Sequence, residues 1–248
     1  MYAVFLREVK SYFGSIMAWA LIAVYLLISG YLVAFSLEDY SQFSMSAMQG
    51  MQMPNINELL VQPLLSTYGF LLLFFLPLLT MRLFAEERRS GTLDLLLTYP
   101  ITEAQIIFGK LLAAMTVVLL MLVLTLSGFI IMGRLTPIDW AAITSGYVGL
   151  LFMAVCFISM GMWASSLSGS QLVAASITYG GLLMLWIFSA VDKLGFLKEK
   201  FGDLSALNHL NNMTRGVVDT QDVVYFVALS ALFLFLTARV LESRKWRG

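Results

Sequence analysis

Six long apolar stretches constrain this 248-residue chain more than any other feature of its sequence. A transmembrane helix needs about 20 consecutive, mostly apolar residues. The six stretches lie at about 16–36, 61–81, 107–132, 141–165, 172–191 and 223–238. No Asp, Glu, Lys, Arg or His stands in the middle of any of them. We therefore expect an all-α integral membrane protein whose residues 1–248 form a single domain with six transmembrane helices.

The composition also indicates a protein that lies in a lipid bilayer. Hydrophobic residues make up 60% of the chain and charged residues 12%, whereas soluble domains have about 45–50% and about 25%. The first apolar stretch is longer than the roughly 7–15 apolar residues of a cleaved signal peptide, so we expect it to remain as a span. The zero net charge gives no indication of a nucleic-acid partner, and the single cysteine, Cys156, allows no disulfide within the chain.

The distribution of Lys and Arg predicts the orientation, because cytoplasmic loops carry an excess of both. If the amino terminus is cytoplasmic, ten basic residues lie inside and five outside. The inner set is Arg7, Lys10, Arg82, Arg88, Arg89, Lys110, Arg239, Arg244, Lys245 and Arg247. The outer set is Arg134, Lys193, Lys198, Lys200 and Arg215. We expect both termini and the loop after the second span to be cytoplasmic.

Residues 2–13 have the pattern of a helix lying in the membrane interface. Apolar side chains recur there at helical spacing, while Arg7, Glu8, Lys10 and Ser11 fall on the other face. The apolar face consists of Tyr2, Phe5, Leu6, Val9, Tyr12 and Phe13. A simple extension of the first span is the alternative.

The segment 192–222, between the fifth and sixth spans, also has an apolar stripe. Its members are Leu194, Leu197, Phe201, Leu204 and Leu207. Six charged residues between 192 and 203 count against a seventh crossing. We predict outer re-entrant or interfacial helices, with a solvated loop as the alternative.

The chemistry that is missing restricts the function. The sequence has no G-x-x-x-x-G-K-[ST] phosphate loop and no HExxH, GxSxG or CxxC motif. Ion-coupled carriers place ionisable groups near the membrane midplane, and the six stretches have none there. The only histidine, His209, is interpreted as a surface or packing residue. We expect no catalytic site, no resident cofactor and an energy source in a partner protein.

The inner loop at 82–110 has the shape of a docking element. A charged run at 86–89 ends at Gly91, Thr92 is a candidate N-cap, and a short apolar helix then runs to Pro100. Thr102 opens the third span. A short helix held between two spans suits a groove on another protein.

This loop resembles the signature of the ABC-2 type permeases, which are membrane subunits of ATP-binding-cassette exporters. Their loop commonly reads E-[E/R]-x-x-G-T-x-[E/D]-x-L-L-x-x-P, with a Gly-Lys pair further on. The matching residues are Glu86, Glu87, Gly91, Thr92, Asp94, Leu96, Leu97, Pro100, Gly109 and Lys110. The run from Thr214 to Phe226, and Val240-Leu-Glu-Ser-Arg after the last span, are similar to the gliding-motility-type permeases.

The resemblance implies a permease in a bacterial-type cytoplasmic (inner) membrane. It implies a dimer with a second copy or a related permease, two cytoplasmic ABC ATPase subunits that bind ATP and Mg, and room for an accessory subunit. Cargo would pass between the two permeases. The implied ATPase-coupling residues are Glu86, Glu87, Gly91, Thr92, Leu93, Asp94, Leu96, Leu97 and Pro100. A solvated charge run is the alternative for the two glutamates.

Three alternatives stay open. Met45, Met48, Met51 and Met53 form a thioether cluster in the first outer loop, and thioethers suit Cu(I). The same spacing fits one apolar face of an interfacial helix. The whole chain is alternatively a scaffold that recruits a cytoplasmic partner without transport, or a membrane-embedded enzyme, which the missing motifs disfavour.

The orientation is testable by cysteine labelling in a Cys156→Ala background. We expect Ser90→Cys to react with a membrane-impermeant maleimide only after the cells are opened, because the 82–110 loop is on the inner side. A cysteine at Val217, in the outer segment, is the matched control and should react in intact cells. Labelling of position 90 in intact cells would reverse the topology.

Overall fold

The structure, a computed structural model, describes residues 1–47, 55–92, 102–191 and 205–245, and these residues form helices and no strands. In chain order the helices are α1 (Tyr2–Phe13), α2 (Ile16–Ala47), α3 (Gln62–Thr80, entered through a π-helical turn at Asn57–Val61), α4 (Ala85–Arg89), α5 (Glu103–Leu135), α6 (Trp140–Leu167), α7 (Gln171–Val191), α8 (Ala206–Met213) and α9 (Thr220–Lys245).

Within these ranges, six helices are long and apolar enough to cross a membrane: α2, α3, α5, α6, α7 and α9. The prediction of an all-α fold with six spans is therefore confirmed. Several helices run beyond the apolar stretches that predicted them, since α2 continues to Ala47 and α5 begins at Glu103. A helix need not end where its side chains become polar, because its backbone hydrogen bonds are internal. Thr102 caps α5 as predicted, accepting a hydrogen bond from the Gln105 amide at 3.4 Å.

Helix α6 (Trp140–Leu167) lies at the centre of the bundle and packs most extensively against α9 and α3. Both ends of its buried face carry small residues, among them Gly146 and Gly161. A Cβ atom at Gly161 would overlap the side chain of Thr80 on α3. Close approach of two backbones through small residues is how helices associate in a membrane, where apolar burial alone gives no net attraction.

Helix α1 (Tyr2–Phe13) lies along the beginning of α5. Gly109 makes this contact possible, because a Cβ atom there would lie 3.0 Å from Val4 Cγ1. The structure corrects the face assigned to Glu8. Val4 and Tyr12 are the buried residues of α1, and Glu8, midway between them, faces the protein as well. Tyr2 is exposed, while Phe5, Leu6, Val9 and Phe13 are half-buried, and the placement of α1 in the membrane interface stays a prediction.

Helix α8 (Ala206–Met213) packs at the opposite end of the bundle, against α6, α7 and α3. Its eight residues extend only about 12 Å, too short to cross a bilayer core of about 30 Å. Its buried face is formed by Ala206, Leu210 and Met213. This part of the segment is thus not a solvated loop.

Two predicted features lie largely outside the described residues. Of the apolar stripe in the 192–222 segment, only Leu207 is described, and it is half-buried. Of the methionine cluster, Met45 falls within α2, and Met48, Met51 and Met53 lie in the undescribed part. The thioether hypothesis therefore stays a prediction.

Gly161→Val tests the close contact between α6 and α3. Its branched side chain would overlap Thr80, and we expect a loss of about 1–3 kcal/mol of stability. Gly180→Val is the matched control, because a Cβ atom at Gly180 meets no described atom within 4 Å. Thermal unfolding in detergent, followed by size-exclusion chromatography, measures both. Equal melting temperatures for the two variants would contradict this packing.

Candidate functional site

Four charged side chains meet where α1, α4 and α5 come together. Lys110 Nζ lies 2.9 Å from Glu8 Oε1 and 3.0 Å from Glu87 Oε1. Arg7 joins both carboxylates, with its Nη2 2.8 Å from Glu8 Oε1 and 2.5 Å from Glu87 Oε1. We call Arg7, Glu8, Glu87 and Lys110 the charge cluster. It has two positive and two negative groups, so it is neutral as a unit.

Lys110 is the buried member of the charge cluster, with only 1% of its side chain exposed. An unpaired ammonium in such a place would be very costly. Besides the two carboxylates, Lys110 Nζ donates to the Leu83 carbonyl at 2.7 Å and lies 5.1 Å from the centre of the Phe84 ring. Every one of these contacts holds α1, α4 or the residues just before α4 against α5. The charge of Lys110 thus fixes three separate pieces of chain at one point.

The pKa of Glu8 reflects the same contacts. Burial on its own favours the neutral acid and would raise the pKa, but Lys110 first and Arg7 with it outweigh burial. The result is a pKa below the ordinary value of 4.5. Because the folded-state pKa is depressed, Glu8 stabilises the docking of α1 above about pH 4.5, and this contribution is lost as the pH falls further.

Helix α4 (Ala85–Arg89) is held from the other side by α6. Ser165 Oγ accepts hydrogen bonds from the amides of Phe84 and Ala85, both at 3.0 Å, and donates to the Met81 carbonyl at 2.9 Å. One hydroxyl therefore satisfies three of the backbone groups left free where α3 ends and α4 begins. The break between the two helices is fixed by tertiary contacts.

Helix α4 ends at Arg89, and the break that the sequence predicted at Gly91 follows it. Gly91 has φ +69°, a conformation that other residues adopt only with strain. Ser90 Oγ donates to the Glu86 carbonyl at 3.0 Å, and Thr92 Oγ1 lies 2.8 Å from Ser90 Oγ. Leu93, Asp94, Leu96, Leu97 and Pro100 lie outside the described residues. The short apolar helix stays a prediction.

An open cleft of about 310 Å³ lies between α1 and the α4 segment. Glu86 and Glu87 both line it, but Glu87 reaches into the charge cluster while Glu86 is exposed. Its lining is Arg7, Glu8, Ser11, Tyr12, Arg82, Leu83, Glu86, Glu87, Ser90, Thr92 and Lys110. Among the described residues, no three His, Cys, Asp or Glu side chains are grouped so as to bind a metal ion.

The sequence interpretation missed Arg7, Glu8 and Lys110 as members of the site. Glu8 fits the polar face of α1 by periodicity alone. The one available signal was the position of Lys110, three residues inside the third apolar stretch, where an ionisable group needs a partner. Which carboxylate it would meet was not readable from spacing.

His209 lies at the other end of the bundle, outside this site. Its Nδ1 is 2.6 Å from Asp222 Oδ1, and its ring stacks on Tyr225 with centroids 4.1 Å apart. These contacts connect α8 to α9 and agree with a packing role.

A model of one protein family, described as "ABC-2 family transporter protein", matches residues 2–246 of the chain. A search of curated proteins gave no significant match. The family match covers both the charge cluster and the inner loop.

Acidification tests the part played by Glu8. With a spin label at Lys10 on the exposed face of α1, we expect label mobility to rise as the pH falls below about 4.5, because protonated Glu8 no longer pairs with Lys110. Glu8→Gln should give a mobile label throughout the range from neutral to acid. Glu86→Gln, which alters an exposed neighbour of the cluster, should keep the transition. If the label mobility of the Glu8→Gln variant changed with pH as in the parent, Glu8 would not be the group that controls the docking of α1.

Proposed function

Because the chain belongs to the ABC-2 family of transporter proteins, we propose that it is the permease of an ABC exporter, driven through its inner loop by separate ATPase subunits. The chain is a multi-pass membrane subunit of an ABC transporter, as its family and its six apolar helices show. Permeases of this family generally form dimers and partner with ATPases. The proposal extends to the direction of transport, the coupling element and the composition of the complex.

The proposal rests on the contacts that hold α4 in place. The helix has only five residues, and alone it would not be stable in water. It is instead fixed by Ser165 of α6 on one side and by the charge cluster on the other. Gly91 and Thr92 follow α4 and stand directly before the predicted apolar helix. A segment anchored in this way transmits the movement of a bound ATPase to the permease, because α4 moves only together with the helices that hold it.

In this proposal the energy comes from separate ATPase subunits. We place ATP and Mg on two cytoplasmic ATPase subunits, because this sequence has no phosphate loop of its own. The α4 end of the bundle and both termini then face the cytoplasm of a bacterial-type cell, in agreement with the ten basic residues assigned to that side. Two permease copies, or this chain and a related permease, enclose the path of the cargo.

The double substitution Leu96→Asp with Leu97→Asp tests the coupling element. Two carboxylates in an apolar docking groove cost several kcal/mol, on the order of 2–7 for each polar group without a partner. We expect normal expression and membrane insertion, because the loop is outside the bilayer. Pull-down and ATP-turnover measurements on the purified complex should show loss of the ATPase and of its stimulation.

The matched control is Val217→Asp with Val218→Asp, two exposed residues beyond α8 at the opposite end of the bundle. This variant should retain its ATPase. If the loop variant also retains the ATPase and supports full turnover, the coupling site lies elsewhere on the permease. If neither the parent nor the control binds any ATPase, the chain acts as a scaffold without an ATP-driven partner.

A further inference from the structure

Two consecutive residues of α4 reach in different directions. Glu87 Oε1 accepts from Lys110 Nζ at 3.0 Å on the side of α5 and from Arg7 on the side of α1. Arg88 turns to the other side, where its guanidinium donates to the Leu167 carbonyl at the end of α6. Its side chain there lies beside Gly169, in the turn between α6 and α7.

These two connections lead to different parts of the bundle. Through Glu87, α4 is joined to α1 and α5, which pack along each other and against α2. Through Arg88, α4 is joined to the junction of α6 with α7, and α6 in turn packs on α3 and α9. The flanking residues Glu86 and Arg89 are exposed. Of the four charged residues at 86–89, the inner pair is turned into the protein.

We propose that Glu87 and Arg88 are positioning residues that divide the movement of the ATPase between the two parts of the permease. This inference rests on the proposed coupling through the inner loop. A partner changes a conformational equilibrium only through contacts that differ between the two states. Charge-assisted hydrogen bonds are short and directional, so each holds α4 at a defined position relative to its neighbour.

The two connections are also separable. Glu87→Gln removes one charge of the cluster but leaves Lys110 paired with Glu8 at 2.9 Å and bonded to the Leu83 carbonyl. Arg88→Gln removes the bond to Leu167 and leaves the charge cluster intact. Each variant therefore releases the C-terminal end of α4 from one side only, while Ser165 continues to hold the first residues of α4 against α6. Glu86→Gln and Arg89→Gln are the same chemical changes at the adjacent exposed positions and serve as matched controls.

Distance measurements by double electron–electron resonance, in the Cys156→Ala background, test the arrangement. One label pair, Ser90 with Ala104, spans α4 and α5, and a second, Ser90 with Ser170, spans α4 and the start of α7. All three labelled residues are exposed. We expect narrow distributions in the parent. Glu87→Gln should broaden only the first pair and Arg88→Gln only the second, while both controls stay narrow.

ATP turnover of the complex with the co-purified ATPase shows whether the two connections transmit movement or only hold α4 in place. We expect Glu87→Gln and Arg88→Gln, without labels, to retain the ATPase in pull-downs. The stimulation of turnover should fall by about twofold to thirtyfold, the range for mutations of residues that couple two sites. Arg89→Gln should keep full stimulation.

Three results would overturn the inference. In the first, Glu87→Gln and Arg88→Gln have distance distributions as narrow as those of the controls. In the second, one of these variants broadens both label pairs equally, and in the third the distances broaden but the stimulation of ATP turnover is unchanged. The first two would show that α4 has no separate connections, and the third that the connections transmit nothing. A parent that retains no ATPase would instead refute the proposed function, and the transmission claim with it, while the distances would still report whether α4 is held from both sides.

Discussion

The ammonium group of Lys110, buried at the edge of the membrane domain, is the constraint on which this end of the structure depends. A buried charge is tolerated only with partners, and these come from two distant parts of the chain: Glu8 on α1, and the segment that carries the Leu83 carbonyl and Glu87 of α4. Neighbouring Gly109 lets α1 approach closely enough for the pairing to form. The Gly-Lys pair of the family signature thus has a physical explanation in this chain. The glycine admits the helix and the lysine holds it.

The centre of the bundle follows a different rule. In a membrane, apolar side chains gain nothing by leaving lipid for protein, so helix contacts depend on close packing and on satisfied polar groups. Helix α6 meets both needs through its small residues. Gly161 admits Thr80 of α3, and Ser165, one turn later, satisfies the amides at the start of α4. The helix that organises the bundle therefore also positions the element for which we propose the coupling function.

Features encoded locally were predictable from the sequence. The six spans, the cap at Thr102 and the break at Gly91 each depend on residues within a few positions of one another. The charge cluster was not predictable, because Glu8 and Lys110 are 102 positions apart and no periodicity connects them. Helical spacing placed Glu8 with the polar residues of α1, and only the tertiary partner turns that face toward the protein. The buried face of α8, formed around Leu210, likewise depends on helices distant in sequence.

The same sequence separation sets an order of assembly. Helix α1 is synthesised first, but the partner of its Glu8 belongs to the third span, 102 residues later. Until α5 is present, the Glu8 carboxylate has no Lys110 with which to pair. Lys110 follows both of its partner segments in the chain, so its full set of partners depends on contacts with α1 and with the α4 segment. The site therefore becomes rigid only when the membrane domain around it is formed, and α4 is not presented in its final position by an incomplete bundle.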